Sequence, residues 1–207
     1  MGIYLNPKNK GFAESIHSEI YVDKSGLIAC TSKCINSKEK YICVSRPRRF
    51  GKSMALEMLA AYYSRGCDSR ELFAGLKIER DRTYEEHLNK YDVIYLNVQH
   101  FLIGAGNLQK KYLDFLRNLL KDQPYVALAY MTGILPVKKY GQHSALNMFW
   151  EFSMTDQNMF EEYTGFTETE VQELCKEYGM DFAEIRSWFC GCSISAAAHS
   201  RKACARD

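Results

Sequence analysis

The chain has 207 residues, 27 basic against 25 acidic, a net charge of +2, and 46% hydrophobic residues. That length holds one domain, or one with a small appendage, and the composition excludes a disordered tail, a collagen-like chain and a disulfide miniprotein. The near-neutral balance argues against a dedicated nucleic-acid binder. No apolar run approaches the ~18 residues of a membrane span, and residues 1–10 lack the apolar centre of a secretory signal.

A cytoplasmic location is therefore expected, with the eight cysteines as reduced thiols. Cys30 and Cys34 are spaced i,i+4, and Cys190 and Cys192 flank Gly191. Neither pair is C-x-x-C, so the spacing disfavours a zinc site.

In chain order, residues 1–40 are polar and broken by glycines, with one ordered stretch at Glu19 to Lys24. Tyr41-Ile42-Cys43-Val44-Ser45 is short, bounded and β-favouring, which predicts a buried strand. Met54, Met58, Ala61 and Tyr62 fall at helical spacing within residues 52–65, with Gly66 as the expected C-cap. Asp92 to Val98 predicts a second strand. Residues 107–121 predict a helix whose apolar face is Leu108, Tyr112, Phe115, Leu116 and Leu119. Tyr125 to Met131, apolar on both faces, predicts a third strand of a helix-covered parallel sheet.

From about residue 144 the pattern reads as helical. Thr167 to Glu170 and Asp181 to Glu184 each place a capping residue three positions before a glutamate. The expected plan is a nucleotide-binding core over 1–143, of which 1–40 is an N-terminal segment, a helical lid over 144–192, and a disordered tail over 193–207.

Directly after the first strand stands Arg46-Pro47-Arg48-Arg49-Phe50-Gly51-Lys52-Ser53. It fits G-x-x-x-x-G-K-[ST] except that Arg46 replaces the first glycine. In such a loop, backbone N–H groups and a helix N-terminus converge on a phosphate. Gly51 lets the backbone approach the anion, Lys52 reaches the β- and γ-phosphates, and the Ser53 hydroxyl is a Mg²⁺ ligand. Arg46, Arg48 and Arg49 are either solvated surface charge or added positive potential around a polyphosphate. Thr132-Gly133, closing the third strand, is either a turn or a γ-phosphate sensor.

A phosphoryl-transfer site also wants a strand-end acid to hold Mg²⁺ and orient water. None is readable. The second strand runs into Asn97, Gln99 and His100, and Asp114 lies within a helical pattern. Glu161 and Glu162 are the remote substitutes. His100 and His143 read as surface histidines. The apolar side chains between Phe12 and Ile28 either hold an adenine or simply cover the sheet.

Tyr21-Val22-Asp23-Lys24-Ser25, the loop Arg46 to Ser53 and Thr132-Gly133-Ile134-Leu135-Pro136 together resemble the bacterial AAA-ATPase-like family. The stretches 138–141, 144–149 and 165–167 resemble it too. The resemblance implies a P-loop ATPase core, ATP and Mg²⁺ as ligands, and a helical lid. In many relatives it also implies a fused PD-(D/E)-x-K nuclease-like domain, so nucleic acid enters as a partner only by that analogy.

Two departures follow from the same likeness. Phe101 to Gly106 runs almost straight into the helix where the family has an apolar strand ending Asp-Glu, which reads as an internal deletion of the Walker B strand. After Trp188 the family pattern gives way to Phe189-Cys190-Gly191-Cys192, which reads as a truncation. The expected fold is thus an incomplete α/β P-loop sheet with a helical lid. The expected function is ATP binding with weak or lost hydrolysis. The competing expectation is a degenerate fragment serving as an interaction module.

Overall fold

The computed structural model describes residues 4–96, 108–134, 147–153 and 159–188. The chain divides into two compact units, 1–164 and 165–207.

In the first unit a three-stranded parallel sheet has the order β2-β1-β3, with β1 (Tyr41–Ser45) between β2 (Ala129–Gly133) and β3 (Trp150–Phe152). Every residue of β1 is buried, as its unbroken apolar run requires of a strand covered on both faces. The register is Tyr41 opposite Ala129 through Ser45 opposite Gly133 on one side, and Ile42 opposite Trp150 through Val44 opposite Phe152 on the other.

Side chains alternate across β1. Ile42 and Val44 face a large core built with α1 (Lys10–Ile16), α2 (Gly26–Cys34) and α3 (Lys52–Tyr63). Tyr41 and Cys43 face a second, smaller core with Leu116 of α6 (Leu108–Leu120), Val126 and Phe149. The first unit is therefore an α/β structure with helices on both faces of a parallel sheet, consistent with a P-loop-like fold. Short helices α4 (Arg70–Phe73) and α5 (Tyr84–His87) and a 3₁₀ turn (Lys77–Arg80) close the larger core. There Phe12 stacks on Phe73 at 4.9 Å, and Tyr62 meets Phe73 edge-on at 5.4 Å.

Helix α3 is held by polar as well as apolar contacts. The Tyr63 hydroxyl shares hydrogen bonds with Thr31 Oγ1 at 2.8 Å and Ser32 Oγ at 3.0 Å, all three residues being buried. Burial pushes the Tyr63 phenol up to about 12, against the pull of those two hydroxyls.

In the second unit, α7 (Glu168–Tyr178) opens with a complete capping box. Thr167 Oγ1 accepts from the Glu170 N–H, and the Glu170 carboxylate accepts from the Thr167 N–H at 2.7 Å. Asp181 caps α8 (Phe182–Trp188) by accepting from the Ala183 N–H at 2.8 Å. Arg186 pairs with Glu168 at 3.5 Å.

Several expectations are corrected. Residues 1–40 contain two helices; α2 hides its core face behind Thr31 and Ser32, hydroxyls that a hydrophobicity pattern counts as polar. Helix α3 ends at Tyr63, and Ser64 turns to extended backbone. Gly66 is not its cap. A Cβ there would lie 2.6 Å from the Asn6 carbonyl oxygen, so the glycine permits a close backbone approach.

Asp92 to Leu96 is extended but is no strand of the sheet. Tyr91 bridges Ser64, Ile94 bridges Leu5, and the Tyr95 N–H donates to the Tyr4 carbonyl at 2.8 Å. β-favouring composition set the backbone, and residues 4–6 captured it. The third strand begins four residues later than expected, at Ala129, because Tyr125 sits in a turn and is 65% exposed. The segment read as helical from residue 144 holds β3, three residues too short to show a period. Residues 97–107 and the tail from 193 lie outside the described residues.

Helix α1 packs on α3 at Gly11, where a Cβ would lie 2.8 Å from the Glu57 carboxyl carbon. Burial, and then the neighbouring Glu14, raise the Glu57 carboxyl above its ordinary 4.5. A raised folded-state value means stability that is fully present below the ordinary value and lost as pH rises through the folded one. Glu57→Gln is therefore expected to melt higher than wild type at pH 7, with the gap closing on acidification toward pH 4. Parallel melting profiles across that range would contradict this.

Candidate functional site

The loop 46–51 leaves the C-terminal end of the central strand and delivers the chain into α3 at Lys52. Its closing residue, Gly51, is left-handed (φ 67°, ψ 9°), and Arg49 is left-handed too (φ 69°). A Cβ on Gly51 would meet nothing within 4 Å, so glycine is required by backbone conformation and leaves the space beside the helix start open.

Gly51 provides no side-chain cap, and the first turn of α3 carries no acid. The leading N–H groups of an α-helix have no intrahelical partner, and the helix dipole makes that end positive. The twelve-residue α3 thus presents bare donors and a partial positive charge at the mouth of the loop.

The Lys52 ammonium donates back to the Pro47 carbonyl at 2.5 Å, so the lysine folds over the loop. Partial burial there holds its pKa below the ordinary lysine value. Ser53 is exposed, as are Arg48 and Arg49, while Pro47 and Phe50 are half-buried. Thr132 is half-buried on β2 opposite Val44, two residues before the loop on the neighbouring strand. The structure therefore gathers the loop, Lys52, Ser53 and the Thr132-Gly133 strand end along one edge of the sheet, the edge at which open α/β sheets bind ligands.

Arg46 behaves differently from the other loop arginines. It is only 3% exposed, and its Nη1 donates to the Ser45 carbonyl at 3.0 Å and to the Phe152 carbonyl at 3.2 Å. Sequence pattern placed it in the loop but could not show the partner, because β3 was not foreseen.

The Tyr21 to Ser25 stretch proves to be a clamp. Asp23 Oδ1 accepts from the Ser25 N–H at 2.8 Å, and Asp23 Oδ2 accepts from the Lys77 N–H at 2.7 Å. The buried Ser25 hydroxyl accepts from the Ile78 N–H at 3.1 Å. Lys24 Nζ donates to the Glu162 carbonyl at 2.5 Å. These three residues fasten the start of α2 to the 3₁₀ turn and to the segment around Glu162. Of the side chains between Phe12 and Ile28, Phe12, Leu27 and Ile28 are at most 2% exposed and belong to the larger core.

Among the described residues, the three strands end at Ser45-Arg46, Gly133-Ile134 and Phe152-Ser153, without an acid. Glu151 lies one residue inside β3, paired in register with Cys43; three residues carry no period that would mark it as a strand position. Asp114 is exposed on α6. His100 and His143 lie outside the described residues. So do Cys190 and Cys192; Cys30 and Cys34 are free thiols, and no cluster of three or more metal-ligating side chains occurs among the described residues.

A separate open cleft of about 360 Å³ lies between Arg65, Asp68, Arg70 and Lys90. Arg65 already pairs with Asp92, and Arg70 with Glu85. No helix among the described residues is long and apolar enough to cross a membrane.

Residues 11–110 match the model of a family described as predicted AAA-ATPase. The matched span contains the Asp23 clamp, β1, the loop and α3. No curated protein and no solved structure matches the chain.

The clamp generates a stability prediction. Asp23→Ala removes a carboxylate that accepts two backbone N–H bonds and is expected to lower unfolding stability by about 2 kcal/mol. Urea unfolding measures this. A change within about 0.5 kcal/mol, the range of featureless surface sites, would contradict the clamp.

Proposed function

We propose that the loop formed by residues 46–53 is the element that binds the phosphates of ATP or ADP, in a nucleotide-binding domain of the AAA-ATPase-like class acting in the cytoplasm. The observation that carries this reading is the junction itself. A fully buried central strand passes through a left-handed glycine into the uncapped start of α3, with the Lys52 ammonium already lying over the loop. The family match over residues 11–110 supports the same reading.

In this reading the first-turn N–H groups and Lys52 surround the β- and γ-phosphates. The lysine exchanges its bond to the Pro47 carbonyl for a charged partner, which also offsets its partial desolvation. Arg48 and Arg49, exposed on the loop, supply positive potential to the same anion. In this reading the Ser53 hydroxyl would hold Mg²⁺, and the ion would supply charge neutralisation to the phosphates. One hydroxyl suits an ion that keeps most of its waters. Thr132 is the candidate sensor of the terminal phosphate.

Hydrolysis is expected to be weak or absent. Orienting water and anchoring Mg²⁺ call for a strand-end acid, and the described strand ends carry none. Thr132 cannot serve as a base near neutral pH.

Thermal melting tests the binding. Nucleotide with Mg²⁺ at about 100 times its dissociation constant should add about 2.7 kcal/mol of stability, and Lys52→Ala should abolish the shift. An unchanged melting temperature in a folded sample would refute the assignment. Phosphate release, with Lys52→Ala as the contamination control, tests turnover. A Lys52-dependent rate of about 1 per second, the low end for competent phosphoryl transfer, would show that a catalytic acid is present.

A further inference from the structure

We propose that Arg46, standing where the phosphate-loop template has its first glycine, is a positioning residue rather than a phosphate ligand: it locks the start of the loop to both outer strands of the sheet. This rests on the reading of the loop as a phosphate site, and it assigns the three loop arginines to two different tasks.

The geometry is specific. The Arg46 N–H donates to the Gly133 carbonyl at 3.0 Å, continuing the β1–β2 pairing one residue past the strand. Its guanidinium turns the other way and donates to the Phe152 carbonyl of β3 at 3.2 Å and to the Ser45 carbonyl of β1 at 3.0 Å. One residue thus joins the C-terminal ends of all three strands at the point where the loop departs.

At 3% exposure, Arg46 Nη1 could reach a phosphate only by giving up its bonds to the buried Ser45 carbonyl and the half-buried Phe152 carbonyl, leaving those acceptors without their donor. It also acts on the β2 side chain Tyr130, whose buried hydroxyl has no hydrogen-bond partner among the described residues. Burial raises that phenol, and the Arg46 cation opposes the rise. A glycine at position 46 could make the backbone bond to Gly133 but not the bond to β3. Strand β3 is three residues long and, among the described residues, pairs only with β1. Arg46 therefore makes the shape of the loop depend on the docking of β3. Arg48 and Arg49, both exposed, are the arms left for the anion.

The test compares Arg46→Lys, Arg46→Met and Arg48→Met. Amide hydrogen exchange is followed in peptides covering 45–53 and 147–153 without nucleotide, and affinities for ADP and ATP are then measured. Arg46→Lys keeps the charge but replaces the rigid planar guanidinium, whose Nη1 reaches both carbonyls, with a shorter and flexible arm. The proposal expects both Arg46 variants to exchange faster in both peptides and to lose about tenfold in affinity, equally for ADP and ATP. Arg48→Met should leave exchange unchanged.

If Arg46→Lys preserves affinity and protection while Arg46→Met weakens ATP more than ADP, Arg46 is a phosphate arm and the proposal is overturned. If wild type binds no nucleotide, the phosphate-site reading falls, and the exchange data still decide whether Arg46 braces β3. Should the variants fail to fold, the wild-type protein suffices. Side-chain ¹⁵N signals of Arg46 should be unmoved between the ADP and ATP complexes. A shift that depends on the γ-phosphate would overturn the proposal.

Discussion

Burial of β1 on both faces is the constraint from which the rest of the first unit follows. Ile42 and Val44 are inserted among α1, α2 and α3, while Tyr41 and Cys43 are inserted against α6 and Phe149. A strand so enclosed cannot slip by one residue without exchanging its two faces, so the position of Ser45, and with it the start of the loop, is fixed by packing alone. Parallel partners on each side then set where Gly133 and Phe152 stand beside that point.

The loop inherits its geometry from this frame. Its far end is anchored by α3, whose Tyr62 and Tyr63 are buried and whose hydroxyl contacts reach α2 and the carbonyl of Tyr84. Between two fixed ends, the left-handed Gly51 turns the chain into the helix and leaves its leading N–H groups without a cap. In the proposed reading, anion affinity at this place would be a by-product of fold stability.

What could be read from the sequence was what local chemistry decides. The buried strand at 41–45, the helix opening at Lys52, the amphipathic helix near 108–120 and the Thr167 capping box are each set by a few neighbouring side chains. What could not be read depended on distant partners. Asp92 to Leu96 has strand composition but pairs with residues 4–6. Trp150 to Phe152 is too short to carry a period, yet it flanks β1.

The Tyr21 to Ser25 stretch carries the resemblance, but the contacts of Asp23 and Ser25 lie some fifty residues away, at the Lys77 and Ile78 N–H groups, where local pattern cannot show them. Arg46 is the sharpest case. Three arginines in one loop look equivalent in sequence, and burial separates them.

The most direct test of the central claim is a backbone amide NMR titration of the whole chain with ADP and Mg²⁺. The account predicts saturable shifts concentrated at Gly51, Lys52 and Ser53, at the open end of α3, with the cleft around Arg65 and Lys90 unmoved. Saturable shifts at that cleft with Gly51 to Ser53 unchanged, or no saturable shifts at all, would contradict it.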